Sequence, residues 1–371
     1  MTSTSMTNTT FVHETLGQRV LFGPGTVVEH VSAEARRLGA AKVMLIASPR
    51  EDALAARLTA ALGDVIRVDD VRQHVPIEHA VATRILCRDN AVDLLLAVGG
   101  GSATGLAKAV ALTEGLPIVA VPTTYSGSEG TNVWGLTEDG TKTTGVSHAV
   151  LPTSIVYDSD LSSSLPVPLS VASGLNALAH SVDALWAPAA DPINRALALE
   201  AAHAIGSSLR VIVIDPSDRA ARSSALYGTY LSAVAFASAG SALHHKICHV
   251  IGGTFGLPHA ETHAVILPYV LAFNAPAVPE LAARLAQALS GGATTNASRA
   301  LDDLRAAIDA PRSLVALGLP EGAVDEVVRR TLAVVPASNP TPVNRANLTE
   351  LLSAAWAGTP PVRTTFSTEA K

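Results

Sequence analysis

Leu94 to Leu112 reads "LLLAVGGGSATGLAKAVAL", and Leu116 to Gly130 reads "LPIVAVPTTYSGSEG". Each is a short apolar run that stops at a cluster of small polar residues. The first then continues with helical periodicity. A strand that ends on glycines and feeds a helix is the βα turn of a parallel α/β sheet. Gly99, Gly100 and Gly101 let a phosphate approach the backbone there. Ser102 opens a helix whose free N–H groups suit a diphosphate. The motif is neither GxGxxG nor a Walker lysine motif, and a plain tight turn explains it equally. The second turn adds weight. Thr123, Thr124, Tyr125, Ser126 and Ser128 follow the next strand, and adjacent parallel strands bring their C-terminal loops to one edge, where open α/β sheets bind ligands. Helix capping accounts for any one of these hydroxyls. The two loops together point to a dinucleotide.

Working outward, the same alternation extends toward the N-terminus. "KVMLIAS" (42–48) and "DVIRVDDV" (64–71) read as strands, and "VVEHVSAEARRLGA" (27–40), "EDALAARLTAALG" (51–63) and "PIEHAVATRILCRDN" (76–90) as helices. After about residue 160 the texture changes. "SSSLPVPLS" reads as a Ser/Pro linker or turn, and long alanine-rich periodic stretches follow to the end of the chain. The expected organisation is an α/β dinucleotide-binding domain with a parallel sheet over 1–160, then an all-helical domain over 161–371. A TIM barrel would need the strand–helix alternation to persist, and it does not.

Composition narrows the class of function. The formal net charge is −6 and no basic run is visible, which speaks against a non-specific nucleic-acid binder. Two cysteines, Cys87 and Cys248, suggest a reducing compartment. The start "MTSTSMTNTT" has neither a basic segment nor an apolar core, and no run reaches the length of a membrane span. The expectation is a soluble, cytoplasmic protein that works on a small molecule.

Histidines supply the second cluster of interest. Asn176 and His180 are four apart in one helical stretch, His245 and His249 four apart in another, and each pair shares a face. His259 lies ten residues past His249, beyond "VIGGTFGLP", whose glycines are expected to turn the chain back. Three histidines so placed suit zinc or iron, a proton relay, or a polar floor for an anion. A carboxylate would favour the metal, but the partner of His180 is the neutral Asn176. Asp183 and Glu261 read as lying elsewhere in the repeat. His203 and His263 read as ordinary core or surface histidines.

Several long stretches resemble the iron-containing alcohol dehydrogenase superfamily. They include "VPTTYSGSEGTNVWG" (121–135), "SGLNALAHSVDALWAP" (173–188), "HHKICHVIGGTFGLPHAETHAVILPYVLAFN" (244–274) and "NPTPVNRANLTELLSAAWAG" (339–358). The resemblance implies the fold shared with dehydroquinate synthase, an oxidoreductase activity with NADH or NADPH, and a homodimer. In metal-dependent relatives an aspartate and three histidines hold iron or zinc, and those places fall on Asn176, His180, His245 and His259. His249 falls on a further active-site histidine. The aspartate is replaced, as in a branch regarded as working without metal. That branch reduces the C=C bond conjugated to the ketone of an unsaturated oxo-dicarboxylate, with an alcohol or polyol dehydrogenase as the alternative. On this basis no metal is expected. His249 is the candidate for the proton, and His245, His180 and His259 for the oxygen and carboxylates, as partly charged imidazoles. The cofactor turns fall on Gly99, Gly100, Gly101, Ser102, Thr123, Thr124 and Ser128. Many relatives carry aspartates where this chain has Gly105 and Ser48. Without the latter, and with Arg50 beside it, NADPH meets no repulsion. Thr341 and the segment Gly145–His148 stand where arginines are expected, which leaves the groups that hold the carboxylates open.

Overall fold

The computed structural model describes residues 10–138 and 141–361. The first half runs β1 (Arg19–Phe22), α1 (Val27–Arg37), β2 (Val43–Ala47), α2 (Asp52–Leu62), β3 (Val65–Val68), α3 (Ile77–Asp89), β4 (Leu94–Gly99), α4 (Gly101–Glu114) and β5 (Ile118–Pro122). A hairpin of β6 (Val133–Glu138) and β7 (Thr141–Val146) follows, then β8 (Ser154–Tyr157). The rest is helical: α5 (Ser159–Ser162), α6 (Val167–Ala184), α7 (Pro192–Ile212), α8 (Arg219–Ala239), α9 (Leu243–Phe255), α10 (His259–Asn274), α11 (Pro279–Ser290), α12 (Ala297–Ala307), α13 (Ala323–Leu332) and α14 (Arg345–Ala357).

Six strands form one parallel sheet in the order β1-β8-β5-β4-β2-β3. Side chains alternate across it with period two. Leu94, Leu96 and Val98 of β4 pack with α1 and α2, while Leu95 and Ala97 pack with α3 and α4. Both faces are covered, which is why these strands read as unbroken apolar runs. The register decides where ligand-binding loops fall. Ala47 pairs with Val98, and Gly99 pairs with Pro122, so Ser48, the glycine turn and Thr123 emerge side by side at one sheet edge.

The stretch from 221 to 253, continuous in its periodicity, breaks at Gly240, where φ is 87°. That break lets α8 and α9 run as separate helices. The Ser/Pro stretch is not a free linker: the short α5 ends on its first residue and α6 begins inside it. The β6–β7 hairpin has no counterpart in the sequence reading, because "KTTGV" lacks an apolar alternation. Among the described residues, no helix is long and apolar enough to cross a membrane.

Helices α7 and α8 approach closely through Gly228. A Cβ there would stand 2.8 Å from Ile205 Cγ1 and 3.1 Å from the Ala201 carbonyl oxygen. Gly228→Ala is expected to cost about 1–3 kcal/mol through overpacking. Thermal melting should fall by several degrees; an unchanged melting temperature contradicts this packing.

Candidate active site

The two turns and the histidine helices enclose one cavity of about 990 Å3. At its sheet end lie Ser48, Gly99, Gly100, Gly101, Ser102, Thr123, Thr124 and Ser128. At its helical end lie Asn176, His180, His245, His249 and His259. The structure thus brings the candidate catalytic and cofactor-turn residues into one space. Tyr125, Asp183 and His263 do not line it, and neither does His203, which bonds the Ala288 carbonyl at the surface.

The sheet end has room for a dinucleotide backbone. A Cβ on Gly100 would sit 3.0 Å from the Thr124 side chain, so the glycine cradle exists because no side chain fills it. Gly100 caps α4 without a side-chain bond, leaving the first N–H groups of that helix free. These residues fit a pyrophosphate. Glu51, which the sequence reading passed over, brings a carboxylate to the same rim and accepts a bond from Thr123 Oγ1 at 3.0 Å.

The second turn is held from several sides. Lys108 of α4 donates to the carbonyls of Ser128, Thr131 and Val133 at 2.6, 2.8 and 2.8 Å, and to Thr131 Oγ1 at 3.0 Å. Burial pushes this lysine down to about 7, while Glu129 acts the other way. Four oxygens around one nitrogen favour the ammonium form, so we assign the charge. Buried Glu129 accepts from Tyr157 at 2.8 Å. Asn176 reaches across from α6 and donates Nδ2 to the Ser126 carbonyl at 3.1 Å. Gly127, at φ 73°, makes room for His180: a Cβ there would stand 3.1 Å from its Nδ1. The sequence signal for Lys108 was a lysine on a helix otherwise made of small and apolar residues.

Asp183 corrects the sequence reading. Asn176, His180 and Asp183 follow i, i+4, i+7 spacing on α6 and share a face. Its carboxylate meets His245 Nδ1 at 2.6 Å and accepts from the backbone N–H of Ala242 at 3.1 Å and of His245 at 3.2 Å. Burial raises this carboxyl to about 7. The donors around it favour the carboxylate, with His245 Nδ1–H donating. His245 Nε2, buried and without a hydrogen-bond partner among the described residues, is then left with its lone pair.

The imidazoles are not partly charged, as the sequence suggested. Burial lowers His180 to about 4 and His249 to about 3, and takes His245 and His259 well below the usual range. At neutral pH all four are neutral rings. His180 and His245 lie 4.9 Å apart between centroids, and His249 and His259 lie 6.4 Å apart. The chain does turn back to bring His259 in, but at Gly256 and Pro258; Gly252 and Gly253 remain helical.

Two clusters present side chains of the kind that bind metals. At Asn176, His180, His245 and His259 the anionic ligand is missing: Asn176 is neutral and its amide is tied to Ser126, while Asp183 is engaged behind His245. This donor set does not fit the metal site of the metal-dependent relatives, and no step is derived through an ion. Deeper in, His244, Cys248 and His263 place ligand atoms within 4.8 Å of one another. There His244 Nε2 and His263 Nδ1 already bond each other at 2.9 Å, and burial holds Cys248 as a thiol. His263 is therefore a core histidine with a histidine partner.

Comparison with known proteins agrees with this architecture. Residues 17–159 match the family model "Iron-containing alcohol dehydrogenase", and residues 170–356 match "Fe-containing alcohol dehydrogenase family, C-terminal". The chain belongs to the iron-containing alcohol dehydrogenase family. Within it, the chain is of the maleylacetate reductase type. It is 42% identical to a maleylacetate reductase of Sphingobium indicum, over 95% of this chain and 99% of that one. The crystal structure of maleylacetate reductase from a Rhizobium species superposes with a TM-score of 0.87, at 39% identity over 95% and 99% of the two chains. An iron-containing alcohol dehydrogenase from Corynebacterium glutamicum superposes with a TM-score of 0.90, at 53% identity over 94% and 97%.

Since the carboxylate ligand is absent, protein purified without chelator should hold far less than one iron or zinc per chain by elemental analysis. Asn176→Asp should raise that content toward one. Stoichiometric metal in the wild type contradicts this reading of the site.

Proposed function

We propose that this chain is an NAD(P)H-dependent maleylacetate reductase that works without bound metal. It saturates the C=C bond conjugated to the ketone of its substrate and yields 3-oxoadipate, an intermediate of aromatic-compound breakdown. The observation that carries the reading is the neutral Asn176 beside a retained histidine cluster whose His245 is backed by Asp183. The Corynebacterium relative is described as an alcohol dehydrogenase; that activity, on the metal-dependent plan, needs an anionic ligand that Asn176 does not supply.

When bound, the nicotinamide supplies a hydride to the carbon β to the ketone, leaving enolate charge on the ketone oxygen. The protein's task is to meet that charge and to deliver a proton to the α carbon. His245 is the ring best placed to hold the proton. A dianionic substrate favours proton uptake on Nε2, and Asp183 stabilises the imidazolium that results. This moves the proton role from His249, which has no carboxylate partner among the described residues and stands near Lys142 and Lys246. His249, 6.0 Å from His245 between centroids, is the next ring in a relay. His180 and His259 remain the donors to substrate oxygens.

Substrate carboxylates require cations. Of the lysines lining the cavity, Lys108 is committed to the second turn. Lys142, on β7, lines the cavity, and no hydrogen bond or ion pair among the described residues engages it. Burial lowers its basicity, which an arriving carboxylate reverses. Lys142 takes the place of the missing arginines. The same reading carries a soluble homodimer in the cytoplasm.

A spectrophotometric panel of maleylacetate, simple aldehydes and secondary alcohols, with NADH and NADPH and with and without chelator, tests the activity. Oxidation of NADH with maleylacetate, insensitive to chelator, is expected; turnover confined to alcohols or aldehydes, lost with chelator, contradicts it. Asp183→Asn should lower kcat by roughly 10²-fold or more while leaving NADH affinity and melting nearly unchanged; near-normal kcat removes the dyad from catalysis. NADPH should serve within about 1000-fold of NADH, roughly 4 kcal/mol, and Ser48→Asp should penalise NADPH selectively. An equal loss with both cofactors would place Ser48 away from the adenosine ribose.

A further inference from the structure

The loop between β3 and α3 carries two adjacent residues in a left-handed conformation, His74 at φ 62° and Val75 at φ 48°. A β-branched residue enters that region only under strain. Two neighbours hold it there. On β6, Thr137 donates its N–H to the Val75 carbonyl at 3.0 Å and its Oγ1 to the His74 carbonyl at 2.8 Å. On α4, Gly105 leaves the space that Val75 fills: a Cβ there would stand 3.0 Å from Val75 Cγ2.

The consequence is the position of the His74 side chain. It lines the cavity. Its Cε1 would lie 3.9 Å from a Cβ on Gly252 of α9, one turn beyond His249. No hydrogen bond or ion pair among the described residues engages either ring nitrogen, and Nε2 is buried as well. Burial, with Lys142 nearby, keeps the ring neutral, so one nitrogen carries a proton to donate. A strained backbone that presents an unpartnered donor beside an unpartnered ammonium is arranged for an anion from outside the protein.

We propose that His74 is a specificity residue that donates a hydrogen bond, alongside Lys142, to one carboxylate of the substrate. The inference rests on the reading above that the substrate is a dicarboxylate. A neutral donor adds directional recognition there without a second buried charge.

The test compares His74→Phe and His74→Asn with the wild type in three measurements: KM for maleylacetate, Kd for NADH by fluorescence, and binding of adipate against hexanoate to the NADH complex. Asparagine tolerates the left-handed backbone and keeps a donor near Nδ1. His74→Phe should raise KM about tenfold, leave Kd for NADH within about twofold and erase the preference for adipate. His74→Asn should recover most of both losses. If His74→Phe does not fold, His74→Ala takes its place as the variant without a donor. A weakened Kd for NADH with KM unchanged overturns the proposal, as does an adipate preference indifferent to His74. If the wild type does not reduce maleylacetate but its adipate preference depends on His74, the proposed reaction fails and the carboxylate subsite stands.

Discussion

The ammonium of Lys108 is the point on which the site depends. It gathers three carbonyls and a hydroxyl from residues 128–133, so the second turn closes around a charge fixed in α4. That turn is also where the helical half docks. Asn176 holds the Ser126 carbonyl, buried Arg222 of α8 donates to the Tyr125 hydroxyl at 3.0 Å, and Gly127 gives His180 its room. The cofactor end and the histidine end of the cavity therefore share one scaffold. A buried cation with all its hydrogens placed is costly to disturb, because any lost partner leaves a charge unsolvated.

Burial sets the chemistry as firmly as the choice of residues does. In water, five imidazoles at a cavity would be partly protonated near neutral pH. Here desolvation holds His74, His180, His245, His249 and His259 below their ordinary range. On the proposed reading, positive charge appears when an anionic substrate brings the compensating field, and the Asp183 contact makes His245 the ring that responds. Replacing the metal-binding carboxylate by Asn176 also removes a negative charge that would repel a dianion.

Much of this was legible in the chain. The βα turns declare themselves through glycine after an apolar strand, and the i, i+4 histidine pairs through helical spacing. The second half reads as helix because its apolar positions recur with period 3.6. What escaped has physical reasons. The β6–β7 hairpin lacks alternation, so Lys142 had no element to sit on. Asp183 lies seven residues past Asn176 on the same face, beyond the reach of an i, i+4 pairing rule. His74 had no motif, because its place is fixed by backbone strain and by the empty space at Gly105. Protonation depends on burial, which spacing does not reveal.

The most direct measurement follows the hydride. The enzyme, stripped of metal by chelator, is given maleylacetate and reduced cofactor carrying deuterium at the transferred position, and the product is analysed by NMR. The expected result is one deuterium on the methylene β to the ketone, next to a carboxylate, with a solvent proton added at the α carbon. Deuterium on a carbinol carbon, or no transfer until iron or zinc is restored, contradicts it.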